Sequence, residues 1–275
     1  MTMDAAGIEE VVQLVRAVAR AEIMPRFRKL GAGDIQAKSG PLDLVTVADE
    51  QAEVRLASGL SRLFPKCVVV GEEAATRDPA LLDTIGLAPL CFVVDPIDGT
   101  FNYASGLPLF GVIVAVVEHG RTTGAVIHDP VGDDTAVALA GQGAWMQTPG
   151  EGRAVLRVAA PAALSGLSGS VSWRYMPEPR RSHVVARLPR VAASSDYRCA
   201  AHQYRMLAAG HYHYSVYNRL LPWDHAAGIM LHQEAGGYSA LLDGTPYRPG
   251  STDGGLICAP DLACWQLLYD GLFGE

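Results

Sequence analysis

Two aspartates follow a short apolar run in residues 91–103, CFVVDPIDGTFNY. The run predicts a buried strand that ends at Asp95, because β-branched apolar residues bounded by Pro and Gly are typical of buried strands and the proline has no N–H for the ladder. A glycine then permits a tight turn, and Thr100 opens a predicted helix. The carboxylates of Asp95 and Asp98 are therefore expected close together, beside helix N–H groups that favour an anion. This combination indicates a site for a cation and a phosphate group.

A purely structural role for these aspartates is the alternative. Aspartate before proline is common in turns, and Asp or Thr near a helix start is often only a cap. Two carboxylates after one buried strand favour the metal interpretation, because paired carboxylates repel and raise each other's pKa unless a cation neutralises them.

A second acidic motif follows another predicted strand, residues 67–70, which ends in Gly71-Glu72-Glu73. A solvated acidic turn is the structural alternative for adjacent glutamates. Glu72 precedes Asp95 by 23 residues, which leaves room for a helix or loop before an adjacent strand. We therefore expect both acids to emerge at neighbouring strand ends.

Two further aspartates stand at predicted helix starts. Asp224, in LPWDHAAGIMLHQEAGG, is predicted as the N-cap of a helix that ends at Gly236 and Gly237. Asp49, in KSGPLDLVTVAD, precedes an apolar-periodic stretch and is first of all a helix cap. Neither residue indicates chemistry by itself.

Taken together, the segments KSGPLDLVTVAD, GEE, DPIDGT and WDHAAG followed by EAGG resemble the motifs of the inositol monophosphatase family. The resemblance spans residues about 36–237, with one extra residue between Ser39 and Asp43. It implies an α/β (α+β) fold, a layered αβαβα sandwich, in a single catalytic domain 1–275 that is assembled as a homodimer. The domain is expected to have two lobes, about 1–150 with the first three motifs and about 151–275 with the last.

The same resemblance implies a magnesium-dependent, metal-assisted phosphatase. Its expected ligands are Glu72, Asp95 and the Ile97 carbonyl for one ion, with Asp95, Asp98 and Asp224 for a second, which suits a cation that prefers oxygen. Two or three Mg²⁺ ions are expected, with Mn²⁺ as a substitute and Ca²⁺ and Li⁺ as inhibitors.

The implied roles follow from the needs of phosphate monoester hydrolysis, which are charge neutralisation, positioning and an in-line water. Magnesium acidifies a water that Glu72 and Thr100 orient or deprotonate, and Asp49 holds Thr100. Backbone N–H groups of Gly99 and Thr100 bind the phosphate, and Asp224 helps to stabilise the departing alkoxide.

The substrate-binding residues depart from the pattern of inositol enzymes. Arg198 stands where these enzymes usually have glycine, before Cys199 and Ala200, and Tyr217 replaces a common glutamate seven residues before Asp224. Arginine adds an anion-binding fork. The expected substrate residues are Asp98, Gly99, Thr100, Arg198, Cys199, Ala200, Tyr217 and Asp224.

Several functions remain open at this point. Inositol phosphate, histidinol phosphate, a sugar phosphate or a nucleotide 3′-phosphate are possible substrates. A noncatalytic relative that binds phosphate or a protein is the alternative from another class, although every expected ligand is present. A phosphate-release assay with added metal separates the two classes.

Composition limits the partners and the compartment. The chain has 275 residues, 49% hydrophobic and 19% charged, which excludes a disordered or fibrous protein. A net charge of −7 argues against nucleic acid polymers. Its five cysteines lack a C-x-x-C pair and are predicted as free thiols. With no signal core or membrane span expected, we predict a cytoplasmic protein that acts on a small molecule.

Helices and strands must position these residues. Helical periodicity predicts an amphipathic helix over residues 5 to about 28, kinked or ended by Pro25, and a polar turn over 31–41. Strands are predicted at 109–117, 123–128, 134–139 and 167–173, with helices at 179–188 and 200–209. His211 and His213 are expected on a strand and not as metal ligands.

Overall fold

The computed structural model describes residues 3–274, and strands and helices occur along this whole range. The strands are β1 (Ile35–Gly40), β2 (Asp43–Thr46), β3 (Val68–Gly71), β4 (Leu90–Asp98), β5 (Gly111–Glu118), β6 (Arg121–Asp129), β7 (Asp134–Leu139), β8 (Gly143–Thr148), β9 (Gly152–Val155), β10 (Ser168–Val171), β11 (Ala193–Ser195), β12 (Tyr214–Tyr217), β13 (Tyr238–Leu241) and β14 (Leu256–Ala259).

Helices cover the sheets and connect them. The α-helices are α1 (Ala5–Val18), α2 (Val47–Leu63), α3 (Glu72–Arg77), α4 (Leu81–Leu87), α5 (Thr100–Ala104), α6 (Arg180–Arg187), α7 (Ala200–Ala208), α8 (Pro222–Glu234) and α9 (Leu262–Leu272). No helix within residues 3–274 is both long enough and apolar enough to cross a membrane.

A seven-stranded sheet with the order β3-β4-β5-β6-β7-β8-β9 forms the first half of the molecule. Strand β3 is parallel to β4, and the remaining neighbours are antiparallel, as expected for a meander joined by tight turns. Strand β4, between β3 and β5, is buried on both faces, which explains the continuous apolar run CFVV in the sequence.

The two faces of this sheet belong to different cores. Phe92 and Val94 pack with α1 and α2 on one face. Cys91 and Val93 lie in the core on the other face, which also contains residues of α7, α8 and the second sheet. Because side chains alternate along a strand, one strand supplies both cores.

A five-stranded sheet with the order β11-β10-β12-β14-β13 forms the second half. Strands β11, β10 and β12 are parallel, whereas β14 runs antiparallel to both β12 and β13. A third core joins this sheet to α6 and α9. The order of layers is therefore helices, sheet, helices, sheet, helices, which confirms the predicted αβαβα fold.

Some predicted elements differ from those observed. Helix α1 ends at Val18 and continues as a π-helical turn, Ala19–Ile23, so the helical path stops before Pro25. Residues 31–41, predicted as a polar turn, contain β1, which pairs with β2 in an antiparallel hairpin. Its polar and exposed side chains gave no alternating apolar pattern, so the strand was not predicted.

The second half contains three smaller differences. Strand β10 ends at Val171, and a 3₁₀ turn, Trp173–Tyr175, follows. His211 and His213 precede β12, which begins at Tyr214. Helix α8 begins at Pro222 with Leu221 as its N-cap. Because proline favours the first helical position, Asp224 falls in the first turn and is not the N-cap.

Candidate active site

Three aspartates from distant parts of the chain lie together. Asp95 and Asp98 are at the end of β4, and Asp224 is in the first turn of α8. Each offers a carboxylate oxygen, and these oxygens lie within 4.8 Å of one another. We call Asp95, Asp98 and Asp224 the aspartate cluster. It contains residues from both halves of the chain.

The backbone of β4 explains the close spacing of the first two aspartates. The ladder with β5 is regular up to Asp95, which pairs with Ile113, and resumes only at Asp98, which pairs with Gly111. Inside this irregular stretch the Ile97 N–H donates to Asp95 Oδ1 at 3.0 Å. A bulge of this kind redirects side chains at a strand end, so both carboxylates face the same site.

Gly99 makes the turn into α5 possible. Its φ of 86° lies in the left-handed region, where a side chain is disfavoured. A Cβ at this position would also come within 2.9 Å of the Leu109 carbonyl oxygen. Helix α5 begins directly afterwards at Thr100, as the sequence predicted.

Asp98 is anchored by the chain before and at the start of α7. Its Oδ2 accepts the Ala201 N–H at 2.5 Å and the Cys199 thiol at 3.0 Å. Cys199 therefore positions a member of the aspartate cluster, and Ala200 lies between the two donors.

Glu72 stands next to the aspartate cluster. Because β3 and β4 are parallel with Gly71 opposite Val94, Glu72 emerges beside Asp95, which confirms the prediction of neighbouring strand ends. Its carboxylate accepts from Lys38 Nζ at 2.7 Å, and the same ammonium lies 2.8 Å from Glu73. Burial opposes the charge on Lys38, but the two glutamates outweigh it and raise the pKa of Lys38.

Thr100 and Asp49 form a second pair beside the aspartate cluster. The Thr100 hydroxyl lies 3.1 Å from Asp49 Oδ1 and 2.9 Å from the Ile97 carbonyl oxygen. Asp49 Oδ2 accepts from the Thr46 N–H at 2.9 Å and from its hydroxyl at 2.5 Å. Asp49 thus completes a capping box for α2 and also contacts Thr100, so the cap is confirmed and the role in the reaction stays a prediction.

Burial dominates the electrostatics of these acids. It raises the pKa of Asp95, and the charges of Glu72, Asp98 and Asp224 raise it further. It also raises the pKa of Asp49 to about 7, against the opposing hydrogen bond from Thr46. Such a set of carboxylates is costly without a counter-charge.

These observations fit a divalent cation. Mg²⁺ and Ca²⁺ take oxygen ligands, and the aspartate cluster supplies three carboxylates at the distance that one ion requires. The residues that would hold it are Asp95, Asp98 and Asp224, with Glu72 beside them.

The aspartate cluster lies in a cleft lined by residues of both sheets. The predicted residues that line this cleft are Glu72, Asp95, Ile97, Asp98, Gly99, Thr100, Arg198, Cys199, Ala200, Tyr217 and Asp224. Asp49 is 1% exposed and lies behind Thr100, outside the lining. His211 and His213 are not among the residues that line it.

Tyr217 and Arg198 occupy different surroundings in the cleft. The Tyr217 side chain is 4% exposed, stacks on Tyr204, and its hydroxyl has no hydrogen-bond partner among residues 3–274. The Arg198 guanidinium lies 3.7 Å from the centre of the Phe101 ring. Arg198 is therefore open to a molecule in the cleft, whereas the Tyr217 hydroxyl is buried without a partner in the described part of the chain.

The sequence predictions missed several residues of the site. Arg174 and Arg219 also line the cleft, and Lys38 contacts Glu72. Lys38 was noticed only as part of a loop motif. The two arginines follow β10 and β12 by three and two residues, respectively, and an arginine just after a strand is the local signal that the sequence offers.

Comparison with known proteins gives the same family over nearly the whole chain. The model of the inositol monophosphatase family matches residues 5–271. An inositol-1-monophosphatase of Bacillus subtilis is 30% identical over 216 residues, 78% of each chain. One from Mycobacterium bovis is 32% identical over 239 residues, 85% of this chain and 80% of that one.

Solved structures agree with the observed architecture. An IMPase of Thermotoga maritima superposes with a TM-score of 0.79 at 26% identity, covering 95% of this chain and 94% of that one. Together with the acidic site between the two sheets, these matches show that the chain belongs to the inositol monophosphatase family.

Proposed function

We propose that this protein is a magnesium-dependent phosphatase that hydrolyses a small-molecule phosphate monoester with an activated water. The observation that supports this most strongly is the aspartate cluster, three carboxylates with oxygens within 4.8 Å of one another in a cleft that residues of both sheets line. When bound, Mg²⁺ supplies positive charge that offsets the phosphate and the charge developing on the leaving oxygen. Two or three ions, Mn²⁺ substitution and inhibition by Ca²⁺ and Li⁺ are part of the proposal.

The remaining roles fall to side chains around the aspartate cluster. Glu72 and the Thr100 hydroxyl orient the attacking water, whose proton passes to Glu72 or, as Thr100 hands its own proton on, to Asp49 across the 3.1 Å contact. The Ile97 carbonyl is a further ligand, within 2.9 Å of the same hydroxyl. Backbone N–H groups of Gly99 and Thr100 bind the phosphate oxygens.

The leaving group is proposed to lie on the side of the cleft formed by the second sheet. Arg198 and Tyr217 line this part. The Tyr217 hydroxyl has no hydrogen-bond partner among residues 3–274, and we assign it a bond to a substrate oxygen. A buried hydroxyl without a hydrogen-bond partner costs free energy, and a substrate group that bonds it would recover this cost. Inositol phosphate and other small phosphate esters are therefore both candidates, as the relatives named inositol-1-monophosphatase suggest.

The proposal also covers the compartment, the domain organisation and the assembly of the protein. All five cysteines are free thiols, which suits a reducing cytoplasm. Ligands of the aspartate cluster come from both halves of the chain, which supports a single catalytic domain with two lobes. A homodimer is proposed from the family alone.

Replacing Asp95 tests the proposed function. Asp95→Asn removes one charge from the aspartate cluster, and we expect phosphate release in Mg²⁺ to fall by about 10³-fold or more, because charge stabilisation is the main source of catalysis here. Asp83→Asn, at an exposed position on α4, is the matched control. Initial rates on a panel of phosphate esters, with Mg²⁺ and with EDTA, measure the effect. Wild-type rates for the purified Asp95 variant would overturn the proposal.

A further inference from the structure

Three arginines emerge at one edge of the second sheet. Strands β11, β10 and β12 are parallel neighbours, with Ser170 opposite both Ser195 and Ser215. Within three residues of their carboxyl ends stand Arg198, Arg174 and Arg219, respectively. Since parallel strands end at a common edge, all three reach the same place, and all three line the active-site cleft. We call them the arginine cluster.

The arginine cluster has no direct ion-pair partner within residues 3–274. None of the three arginines lies within 4.0 Å of a carboxylate in this range, whereas Arg16 and Arg205, which are largely buried, do. Four of the six acidic side chains in the cleft are Glu72 and the aspartate cluster. The other two are Asp43 on β2 and Asp196 directly after β11, so three arginines face one acidic side chain at the second sheet and an excess of positive charge remains there.

Aromatic rings hold two of these guanidinium groups in place. Arg198 lies 3.7 Å from the centre of the Phe101 ring and donates to the Leu42 carbonyl oxygen at 3.4 Å. Arg219 lies 4.5 Å from the centre of the Tyr175 ring. An aromatic face covers a guanidinium plane but leaves its in-plane N–H groups free, so the donors are pre-organised for an anion.

The arginines also repel one another. Burial lowers the pKa of Arg198, and the nearby charge of Arg174 lowers it further. Like charges held at short range are relieved by an anion that bonds to both, and guanidinium forks match carboxylate and phosphate oxygens.

We propose that the arginine cluster is a second anion site, which selects phosphate monoesters whose leaving group itself carries a carboxylate or a phosphate. The proposal rests on the proposed function, because it needs the scissile phosphate at the aspartate cluster. With both ends of the substrate charged, the acidic metal centre binds one end and the arginine cluster binds the other. Neutral leaving groups such as inositol make no use of the second site.

A substrate series on one carbon skeleton tests this. Glucose 6-phosphate has a neutral leaving group, 6-phosphogluconate adds a carboxylate, and glucose 1,6-bisphosphate adds a phosphate. With Mg²⁺ at low salt, we expect kcat/KM for at least one anionic substrate to exceed that for glucose 6-phosphate about 10-fold or more. The two anionic arms distinguish a carboxylate from a phosphate. The ratio of kcat/KM for the anionic substrates to that for glucose 6-phosphate should fall in 0.5 M NaCl, because salt screens exposed charges.

Variants connect the preference to the arginines. Arg219→Gln is at an exposed position and is expected to fold, and it should lower the ratio of anionic to neutral kcat/KM about 5-fold or more. Arg174→Gln and Arg198→Gln should do the same, with thermal unfolding as a check on folding. Arg62→Gln, at an exposed position on α2 outside the cleft, is the matched control and should leave the ratio unchanged.

The outcomes separate the two proposals. No phosphate release from any ester would overturn the proposed function itself. Release from all three substrates at equal kcat/KM, or a preference that survives the Arg219 and Arg174 variants, would overturn the second anion site and leave the phosphatase proposal standing.

Discussion

At the scale of single residues, the Thr100 hydroxyl has the most constrained surroundings in the site. It lies between the Asp49 carboxylate and the Ile97 carbonyl, and Asp49 is fixed in turn by two hydrogen bonds from Thr46. One hydroxyl has one proton, so it donates to only one of these two oxygens at a time, and its lone pairs can accept from a donor in the cleft that Thr100 lines. This geometry suits a group that orients a water molecule.

Replacing this hydroxyl separates positioning from binding. Thr100→Val keeps the side-chain shape and removes the hydroxyl, and we expect kcat to fall about 10²-fold or more with KM nearly unchanged, as for loss of a proton-transfer group. Thr100→Ser restores a hydroxyl and should retain most of kcat. Steady-state kinetics in saturating Mg²⁺ measures both. A valine variant with wild-type kcat would show that the hydroxyl has no role in the reaction.

At the scale of elements, the Lys38 side chain connects the β1–β2 hairpin to the acidic site. Lys38 on β1 reaches Glu72 and Glu73 at the end of β3, and its side chain is only 13% exposed. Removing one partner of a buried ion pair leaves the other charge uncompensated. The hairpin and the acidic site are thus coupled through Lys38.

Lys38→Met tests this coupling. In EDTA we expect a loss of about 3 kcal/mol in the free energy of unfolding, and a smaller loss in excess Mg²⁺, because the ion then compensates Glu72. Lys29→Met, at an exposed position, is the control and should change stability by less than about 0.5 kcal/mol. Urea unfolding of the three proteins under both conditions gives the numbers. Equal losses with and without Mg²⁺ would argue against the coupling.

The elements also show what the sequence predicts and where it fails. Strand β4 and the turn at Gly99 follow from local apolar patterning and turn chemistry, and the parallel neighbour β3 follows from the spacing to Glu72. Asp224 is different, because 126 residues separate it from Asp98 and no local pattern brings it there. Its place in the site was predicted only through the family resemblance.

Long-range charge contacts were likewise beyond local patterns. Strand β1 was missed because its side chains are polar, and the partners of Lys38 lie 34 and 35 residues away. Arg174 and Arg219 line the same cleft because β10 and β12, the strands that precede them, are parallel neighbours. Strand order is a property of the whole fold, so these residues were recognised only in the structure.

At the scale of the whole molecule, buried histidines connect stability to pH. His128 and His232 are each 1% exposed, and burial lowers the pKa of each to about 4. The unfolded chain binds protons at these histidines near pH 6.5, whereas the folded chain does not until about pH 4. Through these histidines the free energy of unfolding should fall as the pH is lowered from about 6.5 to 4, whereas Asp49 and Asp95, whose pKa burial raises, act in the opposite direction over this range.

The expected slope is up to about 1.4 kcal/mol per pH unit for each histidine. His128 bonds Thr135 and His232 bonds Ser239 through the Nδ1 atom of the ring. Asparagine is the replacement of choice, because its side-chain amide lies near the position of this Nδ1 atom. His232→Asn should reduce the slope between pH 6.5 and 5 by about one proton's contribution. His119→Asn, at an exposed turn position, should leave it unchanged. An unchanged slope in the His232 variant, measured by urea unfolding, would contradict the assignment.

The most direct test of the account is to locate the metal. Crystals grown or soaked in Mn²⁺, which substitutes for Mg²⁺ and scatters anomalously, report the ion's position. We predict an anomalous peak about 2.0–2.3 Å from carboxylate oxygens of Asp95, Asp98 and Asp224, together with loss of the peak in Asp95→Asn crystals. If crystals in saturating Mn²⁺ show no peak between these three aspartates, although the protein still releases phosphate, the proposed metal site is contradicted.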